Sequence, residues 1–462
     1  MIQNSDTFAK KSSTYPQNQT VGYTLLLIIW LVGIVGLAWI PSQNEFSLIL
    51  LFGGSAFVSY YLLWRSSGDQ ISRLLVLCVI GARLAVVPTF PNLSDDIYRF
   101  LWDGRLLHLG IHPMSATPTD LLTTLPSWSE SLYPLLNSPD YFSIYPAVPQ
   151  GIFWFSTLIF SSSLLPEAIL MKSIHFAAEL GCLRLLWLLI KDYGLPLRSW
   201  LLYALNPLII IEVIANVHHE GIMLCFVLGS IYLLRRERIV LAGFFMALSI
   251  ATKILPLLLC PLLFFYLKGR SRWLFTGSTV IATGTLFLPL LLGVEGNLSD
   301  SLSLYMNKFE FNGSIYYLLR WWGNQIYGFN LIHIIGPALK LVAALGILWI
   351  AIKWSEMDHR ESTLPLGLLL TYLVYSWLNI TLHPWYIVLL IGLSVLTTFR
   401  FVFVWSGLIM LTYINYSVKP YDEVIWIVGL EYLVVFTMFH IEWARRGMSL
   451  VSPIKKGPQE SS

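Results

Sequence analysis

Apolar runs succeed one another along this chain, from Val21 through Ile441, with only short polar interruptions outside two longer gaps. A helix needs about 20 apolar residues to cross a hydrocarbon core roughly 30 Å thick. In lipid every backbone N–H and C=O must be bonded internally, so such runs become helices rather than loops or open sheets. Charged residues make up 12% of the chain and hydrophobic residues 56%, against about 25% charge in soluble domains. The expectation is an all-α, polytopic transmembrane helix bundle of about 12 to 14 spans, in a single domain covering residues 1–462.

Charge position orients this bundle. The clusters Lys10/Lys11, Arg65/Arg73, Lys191/Arg198, Arg235/Arg236/Arg238, Lys268/Arg270/Arg272, Lys353/Arg360, Arg400, Arg445/Arg446 and Lys455/Lys456 all fall on the cytoplasmic side when the N-terminus is inside. One condition is that the apolar piece 147–165 does not cross but lies re-entrant or interfacial. Residues 1–20 and 443–462 are then cytoplasmic tails. The non-cytoplasmic face receives a long first loop at 91–150 and a second at 293–328. The first apolar run carries no small-residue cleavage site and reads as a retained span.

Net charge is +3 and no long basic run occurs, so a nucleic-acid partner is not expected. The cysteines Cys78, Cys182, Cys225 and Cys260 all lie in apolar runs and read as small buried side chains rather than as disulfides or ligands. No internal repeat is visible, which argues modestly against a secondary transporter built from repeated halves.

Polar residues concentrate on the outer face. The densest cluster is Ser94-Asp95-Asp96, followed by Arg99, Asp103, Arg105 and His108. Adjacent carboxylates split their pKa values, and one can serve as a general base toward a hydroxyl. A simpler reading makes Asp95 the cap of a helix starting near Asp96, with Ser94 assisting. Arg99 and Asp103 sit one helical turn apart and suit an internal ion pair as well as a site.

Asn216-Val-His218-His219-Glu220 forms a polar turn between two apolar spans. Its adjacent side chains diverge, which favours hydrogen bonding or phosphate contact over a metal centre. Lys253 stands alone among apolar residues and calls for an anionic partner, unless it snorkels to the head groups. His383-Pro-Trp385-Tyr386 and Tyr145 offer an aromatic rim suited to a sugar face, and also to interfacial anchoring. Arg83, Lys172, His175, Glu179 and Glu212 lie inside apolar runs and read as satisfied structural groups.

These stretches resemble a known family. Ser94-Asp95-Asp96-Ile-Tyr98-Arg99-Phe-Leu-Trp102-Asp103-Gly104-Arg105, then Gly110-Ile-His-Pro113 and Ile144-Tyr145-Pro146-Ala-Val-Pro149-Gln150, look like the first external loop of bacterial mannosyltransferase-like proteins of the GT-C superfamily. Asn206-Pro207 followed by Glu212 and the 216–221 turn, Ala251-Thr-Lys253-Ile-Leu-Pro256, Phe311-Asn312-Gly-Ser-Ile-Tyr316 and His383-Pro-Trp-Tyr386 fit in the same order. One departure is His112-Pro113-Met114, where an Asn-Pro-Tyr-like ending is expected.

The resemblance implies a GT-C-type fold with a long non-cytoplasmic catalytic loop. It implies transfer of a hexose, mannose first among them, from a polyprenyl-phosphate carrier to a glycan or glycolipid acceptor hydroxyl, with inversion. Asp95 or Asp96 takes the role of base. Arg99, Asp103, Tyr145, His218, His219, Glu220, Lys253, Asn312, His383, Trp385 and Tyr386 are the candidate substrate-binding residues. Beyond the lipid-linked donor no cofactor or metal is expected. Membrane lipids are partners, and the implied location is a bacterial cytoplasmic membrane with the site facing outside. A transporter or flippase, or an enzyme of the same architecture using another lipid-linked sugar, is the alternative.

Overall fold

A computed structural model describes residues 17–159, 163–292, 309–356, 360–418 and 423–445. Most of both expected tails, and the part of the second loop at 293–308, lie outside these residues. The described chain is helical throughout, with one isolated parallel bridge, Phe311 to Thr381.

The helices in order are α1 Gln17–Trp39, α2 Phe46–Ser66, α3 Arg73–Val86, α4 Asp96–His108, α5 Pro118–Leu121, α6 Trp128–Leu132, α7 Ala147–Ser156, α8 Leu165–Asp192 and α9 Leu201–Ala204. After a wide π-helical turn at Ile209–Ala215 come α10 Glu220–Arg235, α11 Ile239–Thr252, α12 Cys260–Tyr266 and α13 Gly269–Leu291. The last are α14 Ser314–Tyr327, α15 Ile332–Ser355, α16 Arg360–Leu378, α17 Val388–Val395, α18 Phe401–Leu408 and α19 Ile425–Arg445.

Six of these, α1, α2, α8, α13, α15 and α19, are long and apolar enough to cross a membrane. They leave Leu25, Leu51, Val58, Val280, Ile281 and Leu341 exposed, an outward apolar belt that suits lipid contact and not water. This is an integral membrane protein. Several expected spans are shorter or broken. Pro207 interrupts the run 200–215, and the helical pieces on either side meet at 52°. The run 255–267 divides into a 3₁₀ segment, Leu255–Leu259, and the short α12.

The piece expected not to cross, 147–165, ends its helix at Ser156. Ten residues rise only about 15 Å, half a hydrocarbon core. This helix packs instead against α4, and Gly104 is where the two meet: a Cβ there would lie 2.4 Å from the Phe153 carbonyl oxygen. Helix α4 belongs to the long loop at 91–150 yet is buried like a core element. Ile97, Phe100, Leu101, Trp102 and Leu106 are all enclosed, sharing a cluster with Phe153, Met171, Val217 and Ile222.

Charges within the bundle are satisfied locally. Arg83 pairs with Glu179 at 3.1 Å, both fully buried, and also donates to the Ala204 carbonyl. Lys172 donates to the carbonyl and hydroxyl of Thr89 at 2.7 and 2.6 Å, just beyond the end of α3. Lone intramembrane charges are costly, and each of these has a partner of its own.

Candidate active site

The acid turn Ser94-Asp95-Asp96 opens α4. Asp95 takes the N-cap position, but its side chain caps nothing: its backbone is helical (φ −84°, ψ −3°), not extended as a capping residue's usually is. The Asp96 amide points instead to Ser94 Oγ at 3.4 Å. Asp95 is exposed. Its partial withdrawal from water, and then the charge of Asp96 beside it, push its pKa upward. Asp96 is half-enclosed and accepts from Asn137 Nδ2 at 2.9 Å through Oδ1.

The polar turn after Ala215 arrives beside it. Its two histidines diverge as adjacency requires. His218 Nε2 lies 3.3 Å from Ser94 Oγ and 3.9 Å from Asp96 Oδ2. His219 turns away into a box of Phe100, Phe153 and His175, with ring centroids 4.9 to 5.3 Å apart. Tyr145 packs on the same box, edge-on to Phe100 at 5.0 Å.

A ring stack then leads across the molecule. His218 lies on Trp385 at 3.7 Å, and Trp385 lies on His383 at 4.5 Å with planes 1° apart. Parallel rings this close to one centroid cannot share a face without overlapping, so the histidines cover opposite faces of Trp385. Its edge, not its face, is left for a ligand. His383 stacks in turn on Phe311 at 4.5 Å. The backbone bridge between the two segments holds that contact, with Leu382 N donating to Phe311 O at 2.7 Å.

Lys253, just past the end of α11, pairs with Glu220 at the start of α10 and sits 4.3 Å from the Tyr386 ring centre. Its ammonium is therefore matched from below by a carboxylate and from the side by an aromatic face. Next to it, an apolar cavity of about 340 Å³ is lined by Leu258, Ala343, Ile347, Tyr375, His383 and Tyr386.

Three candidates take supporting positions. Arg99 bonds Asp103 at 2.9 Å and the Ser138 and Tyr141 carbonyls at 3.2 and 2.9 Å. Asp103 also accepts from Ser143 and Gln150. This buried knot ties the far part of the first loop onto α4. Asn312, at φ +50°, accepts from Tyr432 through its carbonyl and donates to Glu423 and Glu431. It anchors the strand-like piece that carries Phe311. Arg105 grips Glu167 with two bonds, 3.0 and 2.9 Å, docking α4 onto α8.

Glu212, which stands among the resembling stretches but reads from sequence as a satisfied structural group, and Asn137, which no motif contains, also reach the site. Glu212 had a visible signal, a lone acid in Ile-Ile-Ile-Glu-Val-Ile. Asn137 had none, since only folding of the loop brings it to Asp96. Among the described residues no group of three or more His, Cys, Asp or Glu side chains is arranged to hold a metal ion.

A helical bundle with carboxylates, histidines and a paired lysine gathered at one end defines an integral membrane protein with a polar site. Residues 21–269 match the model of the MptA_B family, alpha-(1->6)-mannopyranosyltransferase, N-terminal domain. The match covers more than half of the chain, which therefore belongs to this family of glycosyltransferases. No curated protein matches the chain.

Proposed function

We propose that the protein transfers mannose from a polyprenyl-phosphate carrier to an acceptor hydroxyl on a glycan or glycolipid, on the non-cytoplasmic face of a bacterial cytoplasmic membrane, in one inverting displacement. The observation that carries this reading is Lys253, part-exposed and paired with Glu220, against Tyr386 in the wall of a largely apolar cavity. Lys253 contacts the ring of Tyr386, which lines the cavity, so a lipid phosphate at the lysine leaves its isoprenoid tail beside apolar walls.

The chemistry then follows. Asp95 or Asp96 takes the proton from the acceptor oxygen as it attacks C1 of the sugar. The bond from C1 to the phosphate oxygen breaks, and polyprenyl phosphate leaves with the electron pair. Lys253 stabilises that charge as it develops. Glu220 pairs with Lys253, and the phosphate competes with it for the ammonium. The raised pKa of Asp95 suits a base that must accept a proton. We read the shorter apolar helices as further crossings, which brings the bundle to about 12 to 14 spans with lipid- and protein-buried segments of unequal length.

The test is transfer by the purified protein from polyprenyl-phosphate mannose, glucose, galactose and arabinose donors, with wild type beside Asp95→Asn and Asp96→Asn. Mannose is expected to move, and the variant lacking the base to lose about 100-fold or more in kcat. Full activity in both variants, or consumption of a different donor only, refutes the reading.

A further inference from the structure

We propose that Glu212 is a positioning residue for the acid turn, acting through His218. Its consequence for catalysis rests on the transfer reading above, while its geometry does not.

Glu212 is fully buried in the π-helical turn, among Ile209, Ile210, Ile211, Val213 and Ile214. A carboxylate in such a setting costs several kcal/mol unless it is matched. Here three groups match it. Tyr413 donates its hydroxyl to Oε1 at 2.8 Å, Asn216 donates Nδ2 to Oε2 at 3.1 Å, and His218 Nδ1 lies 2.9 Å from Oε2. In the last contact the two atoms approach closely without the geometry of an in-line hydrogen bond. Bundle packing alone asks for none of this, since another isoleucine would continue the run and fill the space.

The backbone is bent to the same end. Val217, immediately before His218, is buried and held at φ +56°, a conformation that strains a β-branched residue. The His218 amide donates back to the Glu212 carbonyl at 3.0 Å, closing the turn on that residue. Wide helical turns of this kind recur at functional sites.

The imidazole is thereby fixed on three sides. Nδ1 faces Glu212, one ring face lies on Trp385, and Nε2 is directed at Ser94 and Asp96. A proton on Nδ1, toward Glu212, leaves Nε2 to accept from the Ser94 hydroxyl. A second proton on Nε2 meets Asp96 Oδ2. A buried partner on one ring nitrogen setting what the other presents is a general device. Asp96 Oδ1 is meanwhile held by Asn137, so both oxygens of this carboxylate have fixed surroundings before substrate arrives.

The experiment uses the full chain in nanodiscs with ring-¹⁵N histidine. The His218 resonances are identified by their loss in His218→Gln. In wild type they should carry the Nδ1-protonated pattern, and in Glu212→Gln a mixed or Nε2-protonated one. In transfer assays Glu212→Gln should lower kcat about 10- to 100-fold, with KM for the donor lipid changed less than about threefold. Should Glu212→Gln not fold, Glu212→Asp keeps the charge but shortens its reach, and should lower kcat with the folded fraction unchanged. Unaltered His218 signals, unaltered kcat, or a rate loss that merely tracks lost folded protein overturns the proposal. Absence of transfer in wild type defeats the mannosyl reading alone, because the ¹⁵N arm needs no substrate.

Discussion

At the scale of single residues, this site is defined by how few of its charges are uncommitted. Arg99, Asp103 and Arg105 stand in the densest acid-base motif of the chain, yet each is buried and bonded within the protein. These bonds hold the loop in place. Lys253 differs, being part-exposed and matched by a single carboxylate, Glu220. Charge-assisted contacts are worth about 1.5–3 kcal/mol, or roughly 10- to 100-fold in binding. Lys253→Met is therefore expected to raise KM for a polyprenyl-phosphate donor by about that factor. Glu220→Gln should leave donor affinity unchanged or tighter, since it removes the competing anion. Steady-state kinetics of both variants decide the point, and a Lys253→Met enzyme with wild-type KM removes the lysine from the donor site.

At the scale of elements, two contacts carry the loops. The first is the backbone approach of α4 to α7 at Gly104, where any side chain collides with the Phe153 carbonyl and Thr157 Oγ1. Because the obstacle is main chain, it cannot simply rotate away. Gly104→Ala should cost about 1–3 kcal/mol, and activity should fall as the acid turn shifts with its helix. Thermal unfolding and transfer assays on the same preparation show this. Wild-type stability in that variant means that the helices separate freely.

The second contact is the anchor at Asn312. Burial pushes the Glu423 carboxyl up to about 7, and the donated bond from the Asn312 amide only partly opposes this. A folded-state pKa above the ordinary Glu value means that the anchor is strongest below about pH 4.3 and weakens as pH rises toward 7. The protection factors of the Phe311 and Asn312 amides, taken against the intrinsic exchange rate at each pH, should accordingly be higher at pH 5 than at pH 8. Glu423→Gln should remove that pH difference, and an unchanged difference argues that another group is titrating.

At the scale of the whole molecule, function depends on which end faces which compartment. The acid turn, the histidine turn, Lys253 and His383 all meet at one end, whereas Arg236 and Glu237 lie in the turn at the far end of α10. In a cysteine-free background, Thr119→Cys and Glu237→Cys should react with an impermeant maleimide from opposite sides of sealed membranes. Labelling of both from one side overturns the orientation proposed here.

Hydropathy and local chemistry determined much of this protein in advance. A chain this apolar must be helical in lipid, its first loop must carry the acid pair, and a lone Lys253 among apolar neighbours must find an anion, because each demand is met or violated within a few residues. The ten-residue limit of α7 was also foreshadowed by the charge pattern on either side of it. Tertiary structure alone decided which motif residues are tied up in contacts with distant parts of the chain. Spacing along a helix cannot distinguish an Arg99–Asp103 pair that ties down carbonyls 39 and 42 residues away from one that binds substrate. Nor can it bring Asn137 to Asp96 or Tyr413 to Glu212, contacts spanning 41 and 201 residues. Lone acids inside apolar runs looked structural because burial is all that a sequence reports of them. The bent turn at Val217, set by packing from several helices at once, gives Glu212 a histidine to hold.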